Sequence, residues 1–186
     1  MTSPTPAADE RRVRGDRKAD SGRLVLGIDP GVASTGIGVV RERDRAYEAV
    51  HFELIRTKVG TPFPDRLAIL NRRVAELVAE FKPAEVAMER LFFSRNVKTA
   101  IAVGQAQGAI LLAMAGTGIP VFEYTPDQVK QSVTGDGRAE KSMVGEMTKK
   151  LLRLEEVPKP DDVADALAIA YCHLVSTRPG MAGRRG

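Results

Sequence analysis

Apolar residues follow two rhythms along this chain. From residue 24 to residue 56 they come in short runs and alternations, and from residue 62 onward they mostly recur every three or four positions. Leu24 to Ile28 is an apolar run closed by Asp29-Pro30-Gly31, a turn signal. Thr35 to Arg41 alternates around Ile37, Val39 and Val40, and Tyr47 to Arg56 forms a third stretch. Together these predict an antiparallel meander. Leu67, Leu70, Val74, Leu77 and Phe81 share one helical face, so residues 62–81 are predicted to be an amphipathic helix, ended by Pro83. Glu85 to Glu89 predicts a fourth strand, Asn96 to Ala115 a helix, and Val121 to Tyr124 a fifth strand. Pro126 opens a short helix to about Val133, Lys141 to Leu154 forms another, and Asp161 to Val175 the last, with Asp161 as the expected N-cap.

Three strands followed by helix, strand, helix, strand and helices make an α/β protein. The expectation is a five-stranded mixed sheet flanked by helices, with a hairpin side and parallel crossovers. Residues 1–22 carry one large aliphatic, Val13, and cannot bury enough apolar surface to offset ordering, so they are expected to be a disordered basic tail. Residues 178–186 read the same way, which leaves residues 23–177 as the single ordered domain. No run reaches the roughly 18 apolar residues of a membrane span. The first residues lack the apolar core of a secretory signal, so a cytoplasmic location is expected. A lone cysteine, Cys172, excludes an internal disulfide framework and falls in an apolar helical pattern, as a small buried hydrophobe would.

Charge is unevenly placed. The chain's net charge is +4, and residues 90–153 alone hold 9 basic and 5 acidic side chains. The flanking segments 24–89 and 154–186 are each slightly acidic. A basic stretch bracketed by acids suggests a polyanion held against a cation-loaded site, although a solvated basic surface would look the same.

The acids are specific in place. Asp29 and Glu89 each close an apolar run, where a lone carboxylate must be paired, metal-bound or at the surface. Asp162 and Asp165 are three apart, which on a helix puts both on one face about 5–6 Å apart at Cβ. Like charges that close repel unless a cation lies between them or one is protonated. Blander readings remain open: Asp-Pro-Gly is common turn chemistry, and acids in a first helical turn suit the helix dipole. Oxygen-only ligands favour Mg²⁺ or Mn²⁺ over zinc, and two ions roughly 3.5–4 Å apart would serve an in-line phosphodiester displacement. The histidines, His51 and His173, have no ligand spacing, and His173 is expected to be structural. Phe92 and Phe93 follow Glu89 directly, beside Arg95 and Lys98, as aromatic platforms for unstacked bases do, or as core residues would. Arg138 and Lys141 belong to a glycine-bearing loop, Thr134 to Lys141, that could contact a phosphate backbone or simply connect two helices. Ala100, Gly104 and Gly108 are spaced to let a helix approach another closely, within the monomer or across a dimer.

Four segments, GIDPGVASTGIGVV, MERLFFSRNVKTAIAVGQAQGAILLA, VFEYTPDQVKQSVTGDGRAEKSMV and DDVADALAIAYCH, occur in this order and closely resemble the RuvC family of Holliday-junction resolvases. The match spans residues 24–175 and agrees with a ribonuclease H-like fold. The resemblance implies a homodimeric, Mg²⁺-dependent endonuclease that resolves four-way DNA junctions by paired, symmetric nicks in recombination and DNA repair. It puts the catalytic and metal-binding acids at Asp29, Glu89, Asp162 and Asp165. It puts the aromatic that probes the junction centre at Phe92, and DNA-contacting lysines at Lys130 and Lys141. It favours Ala100, Gly104 and Gly108 as dimer interface, and implies contact with a branch-migration motor of the RuvA and RuvB type. The basic N-terminal extension departs from many members. GIDPGVASTG also resembles the first phosphate loop of actin-like ATPases, which require a second such domain and loop.

Overall fold

The sheet begins earlier than the hydrophobic pattern indicates. In the computed structural model, which describes residues 9–12, 22–90 and 97–178, Asp9–Arg12 is a short strand, β1. It runs antiparallel to β4, pairing Glu10 with Glu53 and Arg12 with His51. The expectation that all of residues 1–22 lie outside the fold is therefore corrected over these four. Backbone pairing along an edge needs no apolar side chain, so hydrophobic pattern could not reveal it. The five expected strands follow. They are β2 (Arg23–Asp29), β3 (Ser34–Arg43), β4 (Ala46–Arg56), β5 (Glu85–Glu89) and β6 (Val121–Tyr124). The helices are α1 (Phe63–Phe81), α2 (Val97–Met114), α3 (Pro126–Thr134), α4 (Lys141–Leu151) and α5 (Asp161–Ser176).

The sheet order is β1-β4-β3-β2-β5-β6, antiparallel from β1 to β2 and parallel from β2 to β6. Helices cover both faces. On one side α1 and α2 bury Leu26, Ile28, Ile37, Val39, Leu70, Val74 and Ile110 together. On the other, α5 lies across β2 and β3 and is itself covered by α3 and α4. A helix sandwiched this way should be apolar nearly all round, and α5 buries an unbroken run from Ala166 to Leu174.

Glycines set the distance between α5 and the sheet. A Cβ on Gly27 would collide with the carbonyl oxygen of Ala166, one on Gly36 with that of Asp162, and one on Gly38 with the backbone of Leu167. The helix backbone thus rests on the strand backbone, and α5 is fixed by hard contact. Its N-terminus is not capped as expected. Pro160 occupies the N-cap position without a side-chain hydrogen bond, and Asp161 is the first helical residue. Proline at the cap leaves no hydroxyl or carboxylate to accept the orphan N–H groups.

Candidate active site

Asp29 is the last residue of β2 and Glu89 the last of β5, and the two strands are parallel neighbours in register up to Ile28 and Met88. Side chains alternate along a strand. Asp29 therefore shares a face with Gly27, which touches α5, and Glu89 shares a face with Glu85, which reaches His173 of α5. Both acids face the helix that carries Asp162 and Asp165. Gly36, opposite Asp29 in the ladder, is the residue on which the Asp162 backbone rests. Strand ends, glycine contact and helix start thus bring three distant segments to one end of the sheet.

Their charges register one another. Asp29 is pushed up to about 8, first by burial and then by Glu89, Asp165 and Asp162, with Lys141 opposing. Burial likewise raises Glu89, with Asp165 adding to it and Lys141 opposing. Asp165 is raised by burial, against a hydrogen bond from Lys141. A group of carboxylates that suppress each other's ionisation lacks a sufficient counter-charge. Part of that charge comes from Lys141, whose Nζ lies 2.9 Å from Asp165 Oδ2 and 3.6 Å from Asp161 Oδ2. Ser34 Oγ donates to Asp162 Oδ2 at 2.5 Å.

Donor chemistry and charge fit a hard divalent cation, for which carboxylate oxygens are the preferred ligands. As the side chains stand, no three of them form a closed ligand cage among the described residues. In this arrangement Lys141 holds Asp165, and Ser34 holds Asp162. Sequence alone did not single out Ser34. Its signal is positional, since it opens the strand that returns from the Asp29-Pro30-Gly31 turn.

The other expected site residues are distributed as follows. Phe92, Phe93 and Arg95 lie outside the described residues. Lys98 is exposed in the first turn of α2. Lys130 is half-buried on α3, and Arg138 is exposed in the α3–α4 loop, where its backbone N–H donates to Asp136. Along α2, Ala100 is buried in the chain's own fold and Gly104 is half-buried, whereas a Cβ on Gly108 would meet open space. The outward face of α2 instead carries Ile101, Leu111 and Leu112, all exposed. Because α2 is apolar on nearly every side, sequence could not tell which stripe faces outward. His173 is fully buried about two helical turns beyond Asp165 on α5, bonded to the Tyr124 hydroxyl at 2.8 Å. No helix of the described residues is long and apolar enough to cross a membrane.

The model of the family described as "Crossover junction endodeoxyribonuclease RuvC" matches residues 25–173. Proteins of that name from Brevibacillus brevis and Desulfitobacterium hafniense are 53% and 51% identical to this chain. The first alignment covers 80% of this chain and 90% of its relative, the second 81% and 91%. Among solved structures, RuvC of T. thermophilus in complex with Holliday junction substrate superposes with a TM-score of 0.81 at 40% identity, covering 86% of this chain and 97% of that one. A yeast mitochondrial Holliday junction resolvase, at 18% identity and a TM-score of 0.60, shares the fold. With carboxylates at the same strand ends and helix start that the sequence motifs mark, this chain belongs to the RuvC family of crossover junction endodeoxyribonucleases.

Proposed function

We propose that this chain is an endonuclease that resolves four-way DNA junctions by paired, symmetric nicks in recombination and repair, using Mg²⁺, with Mn²⁺ as a substitute, at Asp29, Glu89, Asp162 and Asp165. The observation that carries the reading is the convergence of carboxylates from three distant segments at one end of the sheet, where β2 and β5 end side by side and the start of α5 rests on Gly36. Asp29, Glu89, Asp162 and Asp165 would hold two such ions, which would supply Lewis acidity toward water and the phosphodiester. The chain's own residues prepare that chemistry. Asp29 and Glu89 are half-buried, which weakens screening of the site by bulk water. Ser34 fixes the orientation of Asp162, and the glycine contact beneath fixes its depth. Lys141, bound to Asp165, supplies positive charge beside the carboxylates and is a charge-assisted donor for a phosphate oxygen.

Lys98, Lys130, Arg138 and Lys141 form the backbone-contacting set, with Arg95; Phe92 probes the junction centre, and Phe93 beside it also contacts DNA. Junction DNA has two-fold symmetry, so two sites related by a two-fold axis are required. The exposed stripe of Ile101, Leu111 and Leu112, beside Gly108, supports a homodimer through α2. A branch-migration motor of the RuvA and RuvB type is the expected partner assembly, and the cytoplasm the expected location.

The deciding experiment is cleavage of a synthetic four-way junction, mapping both nicks. The parent cuts at symmetric positions with Mg²⁺, and Asp29→Asn binds the junction but leaves it intact. Normal cutting by that variant would remove Asp29 from the reaction.

A further inference from the structure

A cleft of about 630 Å³ opens beside Asp162, lined by Arg56, Lys141, Lys159, Pro160, Asp161 and Asp162. Three of its six lining residues are cationic. Lys141 is engaged with Asp161 and Asp165. Among the described residues, Arg56 and Lys159 make no ion pair or side-chain hydrogen bond. Both are exposed on the same cleft, where an anion between them would meet positive charge from each side.

Arg56 is held in place by its backbone. It ends β4 opposite Ser34, the residue whose hydroxyl holds Asp162. Next to it, Thr57 is tied on both sides of its backbone: its N–H donates to Ala33 at 3.1 Å and its hydroxyl to Val32 at 2.6 Å, while Arg66 Nε donates to that hydroxyl at 2.7 Å. These bonds lock the end of β4 to the loop that follows Asp29. Lys159 sits two residues before the first helical acid of α5. Both cations are therefore mounted on the same scaffolding as the carboxylates. The negative groups in the cleft already have partners, since Asp161 meets Lys141 and Asp162 meets Ser34.

We infer that Arg56 and Lys159 form a phosphate subsite that grips a backbone phosphodiester of the cut strand, next to the one held at the carboxylates. The inference rests on the nuclease reading and adds to it a second anchor on the substrate. Arginine supplies a fork and lysine a point charge to the same non-bridging oxygens. One phosphate held at the carboxylates leaves the strand free to pivot, and a second fixes its direction through the site. Neither side chain touches the reacting atoms, so both position the strand.

The test is a binding cycle on the full-length protein and a synthetic junction, with Ca²⁺ in place of Mg²⁺ to permit binding without cutting. The double variant Arg56→Gln/Lys159→Gln is compared with the parent, and with Lys82→Gln, an exposed cation at the opposite end of the sheet. Junctions carry a single neutral methylphosphonate at each of three positions on either side of the cut. For the parent, one neutralised position weakens binding about 5-fold, the order expected for one lost phosphate contact. For the double variant, the same neutralisation costs less than about 2-fold, because its partner is already gone. The salt slope of the double variant falls by about one per site. Lys82→Gln retains the full penalty. In single-turnover cutting with Mg²⁺, the double variant is slowed at saturating protein, which loss of diffuse attraction alone would not produce. If the neutralisation penalty is as large in the double variant as in the parent at every position, the subsite does not exist. If the parent binds junctions but never cuts them, the nuclease reading fails, while the binding cycle still decides the subsite.

Discussion

A carboxylate that closes a buried strand carries a cost that only a partner removes, and Asp29 carries most of it here. Burial and three neighbouring acids push it up to about 8. Its neutral isostere should be easier to fold. Asp29→Asn, without divalent cation at pH 7, is expected to be more stable than the parent, on the order of 1–3 kcal/mol, read from urea midpoints. Cutting by the same variant is expected to fall by at least about 10³-fold, in keeping with loss of an electrostatic anchor at the reacting centre. A variant both less stable and fully active would contradict the electrostatic account. Glu53 shows the opposite balance. Burial alone would raise it, yet hydrogen bonds from Arg73 at 2.6 and 2.8 Å, and a bond with His51 at 2.9 Å, hold it down at about 2. A carboxyl held below its ordinary value binds fewer protons folded than unfolded. Its stabilisation is full above about pH 4.5 and drains away as pH falls toward about 2. Glu53→Ala is expected to cost about 3 kcal/mol at pH 7, and the difference from the parent should shrink across that acid window in pH-resolved melts.

At the scale of elements, β2, β3 and α5 behave as one unit because glycine backbones lie directly under the helix. Gly36→Ala puts a methyl group against the Asp162 carbonyl. The helix must lift or tilt, at a cost of at least about 1–3 kcal/mol. Junction cutting should fall further than stability predicts, because Asp162 and Asp165 move with the helix; melting and single-turnover rates measured together test this. The elements were largely legible beforehand. The alternation of residues 35–41 and the helical spacing of residues 67–81 correspond to β3 and α1. Asp29 and Glu89 stood out because an acid at the end of an apolar run is rarely neutral in meaning. What stayed hidden depends on pairings that no local pattern encodes. Edge pairing of Asp9–Arg12 needs no hydrophobic signal, Ser34 meets Asp162 across 128 positions, and Pro160 rather than Asp161 precedes the helix.

At the scale of the whole molecule, an apolar stripe along α2 stays exposed among the described residues. Ile101, Leu111 and Leu112 are 58%, 45% and 69% exposed along one side of α2, more apolar area than a lone helix usually shows to water. Leu112→Glu is expected to shift the protein from dimer to monomer in light scattering while leaving its melting transition cooperative. Paired nicking should drop out before single nicking does, since a lone subunit has one site. A monomeric parent would remove α2 from this role.

At Gly27, Gly36 and Gly38 the main chain of the sheet abuts the main chain of α5. Mutational drift in the interior can therefore reshape packing elsewhere without altering how deeply the helical acids sit relative to Asp29. At these three points the strands carry no side chain to trim, so the spacing of the acids is buffered against repacking in the rest of the core.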